Sequence, residues 1–165
     1  MKTLLILRHA KSSWKHPDLA DAERPLKNRG MRAAEMIGTL FKHKRLNPQL
    51  AWCSRAVRAR ETLEIVLKSA KLEVETRFDE RIYMASPREI LKVLSETEDN
   101  RNEILLVGHN PGLEELLFEL SRQDRAMPTA AVAKVALGIE KWSQIGEGKG
   151  KLEWFVKPKD LVIPD

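Results

Sequence analysis

Apolar positions along this chain fall into short blocks whose period changes at regular intervals. Thr3 to Leu7 is a continuous apolar run that stops on the polar pair Arg8-His9, the pattern of a strand buried on both faces of a parallel sheet. From Met31 to Lys44 the spacing turns helical, with Ala34, Ile37, Leu40 and Phe41 on one face. Pro48 precedes a second short strand, Leu50 to Cys53, and Val57 to Ser69 carries the stripe Leu63, Val66, Leu67 of a second helix. Leu72 to Phe78 alternates apolar and charged residues, as a strand near a sheet edge does. Ser86-Pro87-Arg88-Glu89 has the form of an N-cap with proline in the first turn and predicts a helix to about Glu96. After a polar turn from Asn100 to Glu103, the opening layout repeats. Ile104 to Val107 runs into Gly108-His109-Asn110-Pro111-Gly112, and Leu113 to Ser121 is helical in pattern. Ala130 to Leu137 and Lys151 to Val156 read as an antiparallel pair of strands joined by a glycine-rich loop, Gly146 to Gly150.

Strands alternating with helices predict an α/β fold: a three-layer sandwich with a mostly parallel central sheet and helices on both faces. The 165 residues suit a single domain spanning 1–165. In such sheets the ligand lies outside the carboxyl ends of the strands, where both Arg8-His9 and Gly108-His109 fall. Composition narrows the class further. Charged residues make up 32% and hydrophobic ones 42%, with no low-complexity run, which excludes a disordered or fibrous chain. No apolar stretch approaches the roughly 20 residues of a membrane span, and the opening run meets Arg8 and His9 too early for a signal-peptide core. The lone Cys53 has no internal partner and no C-x-x-C pair is present. Together these lead us to expect a cytoplasmic protein with an inert core thiol.

A formal net charge of +5 invites nucleic acid or an acidic substrate. The basic residues are spread along the chain, the four tryptophans are not interleaved with them, and no nucleic-acid motif is present, so nucleic acid is not expected. The two histidines carry more information. Each follows a short apolar strand, so both rings can project from one edge of the sheet. No carboxylate or thiolate stands beside them at ligand spacing, and nearby arginines repel a divalent cation, so no metal is expected. A phosphoryl group fits better, because arginine holds its oxygens bidentately without losing charge. Arg8 is one such donor. The stretch Ser54 to Thr62 holds Arg55, Arg58 and Arg60 where a helix starts at the same edge, and Asn110-Pro111 marks another helix start beside His109.

These residues resemble the histidine phosphatase superfamily (phosphoglycerate mutase-like) and, within it, the short SixA-like phosphohistidine phosphatases. The resemblance covers essentially the whole chain. It rests on Leu7-Arg8-His9-Ala10-Lys11-Ser12, Arg24-Pro25-Leu26 with Arg29-Gly30, Ser54 to Thr62 in the pattern S-x-x-x-R-A-x-x-T, and Val107-Gly108-His109-Asn110-Pro111. It implies that His9 is the nucleophile, that Arg8 and Arg58 grip the phosphate, and that His109 adds a hydrogen bond. Lys11, Ser12, Arg24 and Asn110 are then expected to bind substrate. Glu80 is the nearest candidate by position for an acid that protonates the leaving group. Ala10 stands where the superfamily's commonest motif has glycine, and Lys15 where mutases have asparagine.

The expected reaction has two steps, attack by neutral His9 and hydrolysis of the phosphohistidine, without a cofactor. Only one helix separates the third and fourth strands, so the pocket is expected to be shallow and ringed by Lys11, Lys15 and Arg24. The resemblance points to a phosphorylated protein of the histidine-containing phosphotransfer type as partner, with small phosphate esters as the alternative. A monomer, without membrane attachment, is expected. Two rival readings are a phosphoglycerate-mutase-type enzyme and a noncatalytic module that binds a phospho-ligand or nucleic acid.

Overall fold

The computed structural model describes residues 1–161. Strand β1 (Lys2–Arg8) pairs in parallel with β4 (Glu103–Gly108) on one side and antiparallel with β5 (Val132–Leu137) on the other. Outside β4 lie β2 (Leu50–Cys53) and then β3 (Thr76–Phe78), both parallel to it. Outside β5 lies β6 (Gly150–Val156), antiparallel to β5. The six strands therefore run in the order β3-β2-β4-β1-β5-β6, with β5 alone reversed.

The continuous apolar run of β1 serves two cores at once, since successive side chains of a strand point to opposite faces. Leu4 and Ile6 join the core under α3 (Pro87–Ser95) and α4 (Gly112–Ser121), together with Ile90, Leu94, Leu113 and Leu117. Leu5 and Leu7 join the core under α1 (Asn28–His43) and α2 (Val57–Ala70), with Ile37, Phe41, Leu63 and Val66. The predicted three-layer α/β sandwich is what forms. Fully burying a side chain of this size stabilises by roughly 1.5–3 kcal/mol, and β1 carries no polar residue from Leu4 to Leu7. At the start of α3, Ser86 and Glu89 form a reciprocal capping box.

Two strands are shorter than their sequence pattern. β3 pairs only through Thr76, Arg77 and Phe78, not from Leu72. β2 begins at Leu50 and sets Ala51 opposite Thr76, so residues before Glu75 have no strand to face. Leu72 and Val74 pack half-buried against the α1/α2 core instead. The second case is Ala130, expected as the first residue of a strand. It has a left-handed φ of 62°, a costly conformation for a residue with a Cβ, and its N–H reaches the carbonyls of both Arg8 and His9, at 3.1 and 3.0 Å. This turn fastens the carboxyl end of β1.

Candidate active site

The register of β1 and β4 sets Arg8 opposite Gly108, so the two strands end level and the residues that follow, His9 and His109, emerge side by side. The His9 N–H donates to Gly108 O at 3.1 Å. The two rings stand 5.1 Å apart between centroids, tilted by 51°. Both residues are buried, with 7% and 4% of their surface exposed.

His9 Nδ1–H donates to the carbonyl of its neighbour Ala10 at 2.8 Å. This bond fixes the tautomer and leaves Nε2 with the lone pair. Among the described residues no group hydrogen-bonds Nε2. Burial holds the His9 pKa down to about 4, and the charges of Arg58, Arg8 and Arg24 add to that effect. Burial contributes more than the flanking arginines. His109 is likewise held down to about 3, by burial and then by His9 and Arg58. Both imidazoles are neutral at pH 7. His109 Nε2 is 2.8 Å from Ser54 Oγ, and Ser54 Oγ also accepts the N–H of Ala56 at 3.2 Å.

Arg58 projects from the first turn of α2 and is 4% exposed. Its guanidinium donates to Asp21 twice, to the backbone O at 2.7 Å and to Oδ2 at 2.9 Å. Asp21 also accepts from Arg24 Nε at 3.1 Å and from the Tyr83 hydroxyl, and these donors hold its carboxyl down to about 2, Tyr83 contributing most. Thr62 ties α2 to the loop after β1: its Oγ1 accepts the Ala10 N–H at 2.9 Å and donates to Arg58 O at 2.6 Å. The fixed polar positions of S-x-x-x-R-A-x-x-T are thereby explained, since Ser54 meets His109, Arg58 enters the cleft and Thr62 anchors Ala10. Arg8 donates to Met127 O at 2.9 Å, the same carbonyl that Asn110 Nδ2 reaches at 2.9 Å.

Four buried side-chain atoms have no hydrogen-bond partner among the described residues: Arg8 Nε, Arg58 Nε, His109 Nδ1 and Asn110 Oδ1. Unpaired buried polar atoms cost about 1–3 kcal/mol each, and all four belong to residues lining one open cleft of about 590 Å³. Arg8, Arg24, Arg58 and Lys11 line it against a single carboxylate among the described residues, Asp21. Such a surface is made to receive an anion.

His9, Arg8, Arg58, His109, Lys11, Ser12, Arg24 and Asn110 all line this cleft, whereas Lys15 and Glu80 do not. Arg24 is turned partly inward, donating to Ser12 Oγ at 2.9 Å, with its guanidinium carbon 3.5 Å from the centroid of the exposed Trp14 ring. Glu80 is exposed at the start of a short 3-10 turn. Three residues on, Tyr83 faces the cleft and meets the His109 ring edge-on at 5.3 Å. Asp21, Tyr83, Met84 and Thr129 are the lining residues that sequence reasoning misses. Their partners are set by the fold, and no local pattern marks them. Cys53 is fully buried and its thiol pKa is pushed up by burial, as an inert core residue requires. Among the described residues no three or more His, Cys, Asp or Glu side chains come together as metal ligands, and no helix is long and apolar enough to cross a membrane.

The model of the histidine phosphatase superfamily (branch 1) matches residues 4–86. An uncharacterised protein of Mycobacterium tuberculosis is 31% identical over 165 residues, covering 93% of this chain and 100% of its own. Among solved structures, SixA from Agrobacterium tumefaciens superposes with a TM-score of 0.82 at 25% identity, covering 95% of this chain and 98% of the other. The protein histidine phosphatase SixA in complex with tungstate gives a TM-score of 0.84 at 22% identity, covering 97% and 99%.

Proposed function

The chain belongs to the histidine phosphatase superfamily, and on that premise we propose that it is a metal-independent phosphatase that carries the phosphoryl group on His9. The observation that bears most weight is the state of that ring. Its Nδ1–H is tied to Ala10 O, its Nε2 is free, and burial keeps it neutral. A nucleophilic imidazole needs all three.

In the first step Nε2 attacks phosphorus in line and the leaving group departs from the opposite side. Arg8 and Arg58 hold the equatorial oxygens, and His109 donates from Nδ1 while Ser54 donates to its Nε2. Arg58 Nε, which has no partner among the described residues, is available to the phosphate while the two terminal nitrogens bond Asp21. In the second step water attacks the phosphohistidine and the free imidazole is restored. Kinetics should be ping-pong.

The cleft supports phosphohistidine over an alkyl phosphate for a chemical reason. An alkoxide leaving group needs a proton from a nearby acid, yet Asp21, the carboxylate lining the cleft, is held ionised. Glu80 does not line it. Phosphohistidine leaves as imidazole, which takes its proton on the far nitrogen before cleavage and needs no protein acid. The named activity of the Agrobacterium SixA, a phosphohistidine phosphatase, supports the same choice. An open cleft admits a phosphorylated side chain of another protein of the histidine-containing phosphotransfer type.

The test is phosphate release from a phosphohistidine peptide and from p-nitrophenyl phosphate with EDTA present, for wild type beside His9→Ala. Wild type should release phosphate from both, and the variant should be slower by at least about a thousandfold. No release from either substrate by folded wild type would replace this reading with a binding module. Release that EDTA abolishes would mean that the two histidines hold a metal.

A further inference from the structure

Beside the cleft lies a second depression of about 390 Å³, lined by Lys11, Arg29, Pro128, Thr129, Lys157 and Lys159 with Ala33 and Pro158. Lys11 and Thr129 line both cavities, so the two form one continuous surface. Four cations face this groove and, among the described residues, no carboxylate lines it. None of the four forms an ion pair among the described residues. The nearest acid in sequence, Asp160, instead accepts the backbone N–H of Lys157 at 3.0 Å. On the α4 side of the molecule the charge is reversed: Glu114, Glu115, Glu119, Asp124 and Glu147 line a separate depression.

Four cations with no ion-pair partner among the described residues repel each other in one groove, and anions that enter relieve that repulsion. The cations come from three places that nothing local requires to agree: the loop after β1, the first turn of α1, and the turn after β6. We propose that this groove is a second binding site, which takes acidic side chains flanking the phosphorylated residue of a protein substrate. The proposal rests on the phosphatase reading for the cleft itself. A polypeptide is the occupant because the groove is open and its donors are long. Lys11, Arg29 and Lys159 are exposed and Lys157 is half-buried. Mobile ammonium groups at the surface match spaced carboxylates on a partner, whereas a compact phosphate group calls for buried, fixed donors of the kind the cleft supplies.

The experiment uses the combined variant Arg29→Gln, Lys157→Gln, Lys159→Gln. It compares two phosphohistidine peptides, one flanked by Asp and Glu and one by Ser and Gln, with p-nitrophenyl phosphate as the small substrate. The KM for the acidic peptide should rise about tenfold with kcat within about twofold, and the constants for the neutral peptide and for p-nitrophenyl phosphate should not move. Equal KM values for the two peptides in wild type, or an acidic-peptide KM that the variant leaves unchanged, would overturn the proposal. Competition by inorganic pyrophosphate that weakens in the variant while the acidic-peptide KM does not would assign the groove to a second phosphate, which also overturns it. Binding of an unphosphorylated, fluorescently labelled acidic peptide, followed by anisotropy, needs no turnover. Wild type that binds this peptide more tightly than the variant does, yet hydrolyses nothing, would support the groove while overturning the phosphatase reading.

Discussion

Two imidazoles buried side by side and kept neutral make this protein sensitive to acid at a particular place. In the unfolded chain each titrates near its ordinary value of about 6.5, but in the fold His9 is held to about 4 and His109 to about 3. Between pH 6.5 and 4 the unfolded state therefore binds more protons than the folded one, so stability falls as pH falls through that window and is level above it. At pH 5 the loss is on the order of 2 kcal/mol per histidine. The urea midpoint should accordingly drop between pH 7 and pH 5, and the drop should be smaller in His9→Ala; a flat profile in wild type would contradict the buried neutral pair. At this scale much is readable from the chain. Arg8, His9 and His109 stand out because an apolar run stops abruptly on each group. Asp21 does not, since its meaning lies in Arg58 and Tyr83, which only the folded chain brings to it. Glu80 is the acid that position near the end of the third strand suggests, but the short turn there presents Tyr83 to the cleft instead.

At the level of elements, the site depends on how tightly α1 and α2 are drawn against the sheet. A Cβ on Gly30 in the first turn of α1 would lie 2.1 Å from Lys11 O, a backbone atom two residues beyond His9. A Cβ on Gly38, further along the same helix, would meet Ser69 Cβ at 2.4 Å and Val66 O at 2.6 Å in α2. Both contacts are too close to relieve by moving a side chain, so Gly30→Ala and Gly38→Ala should each destabilise by about 1–3 kcal/mol or more. Only the first should also lower kcat/KM for p-nitrophenyl phosphate severalfold, because it displaces the loop that carries the nucleophile. Thermal melts and steady-state rates on the two variants separate the effects, and equal losses of rate would contradict this placement. The alternation of strands and helices is legible from periodicity, and so is the capped start of α3. The lengths of β3 and β5 are not, since the first is limited by its partner β2 and the second by the turn at Ala130, both matters of pairing rather than pattern.

For the whole molecule, charge is sorted rather than merely positive: cations gather at the cleft and groove, and acids on the α4 side. Attraction of a small anionic substrate by the cleft's own cations, Arg8, Arg24 and Arg58, weakens as salt shortens the Debye length to about 10 Å at 0.1 M. Raising salt from about 20 to 200 mM should lower kcat/KM for p-nitrophenyl phosphate severalfold while the denaturation midpoint scarcely moves; a parallel loss of stability would locate the effect in folding instead. Sequence composition predicts the net charge but not this sorting, which needs the three segments around the groove to meet. The central place of β1 also matters while the protein is being made. Its only neighbours in the sheet are β4 and β5, which leave the ribosome about a hundred residues later. At about 5–20 residues per second the strand waits roughly 5–20 s for the first of them. During that interval Leu4 to Leu7 are a sticky, solvent-exposed segment with nothing native to pair with, and a cell that makes this protein must shield them until the chain is more than half translated.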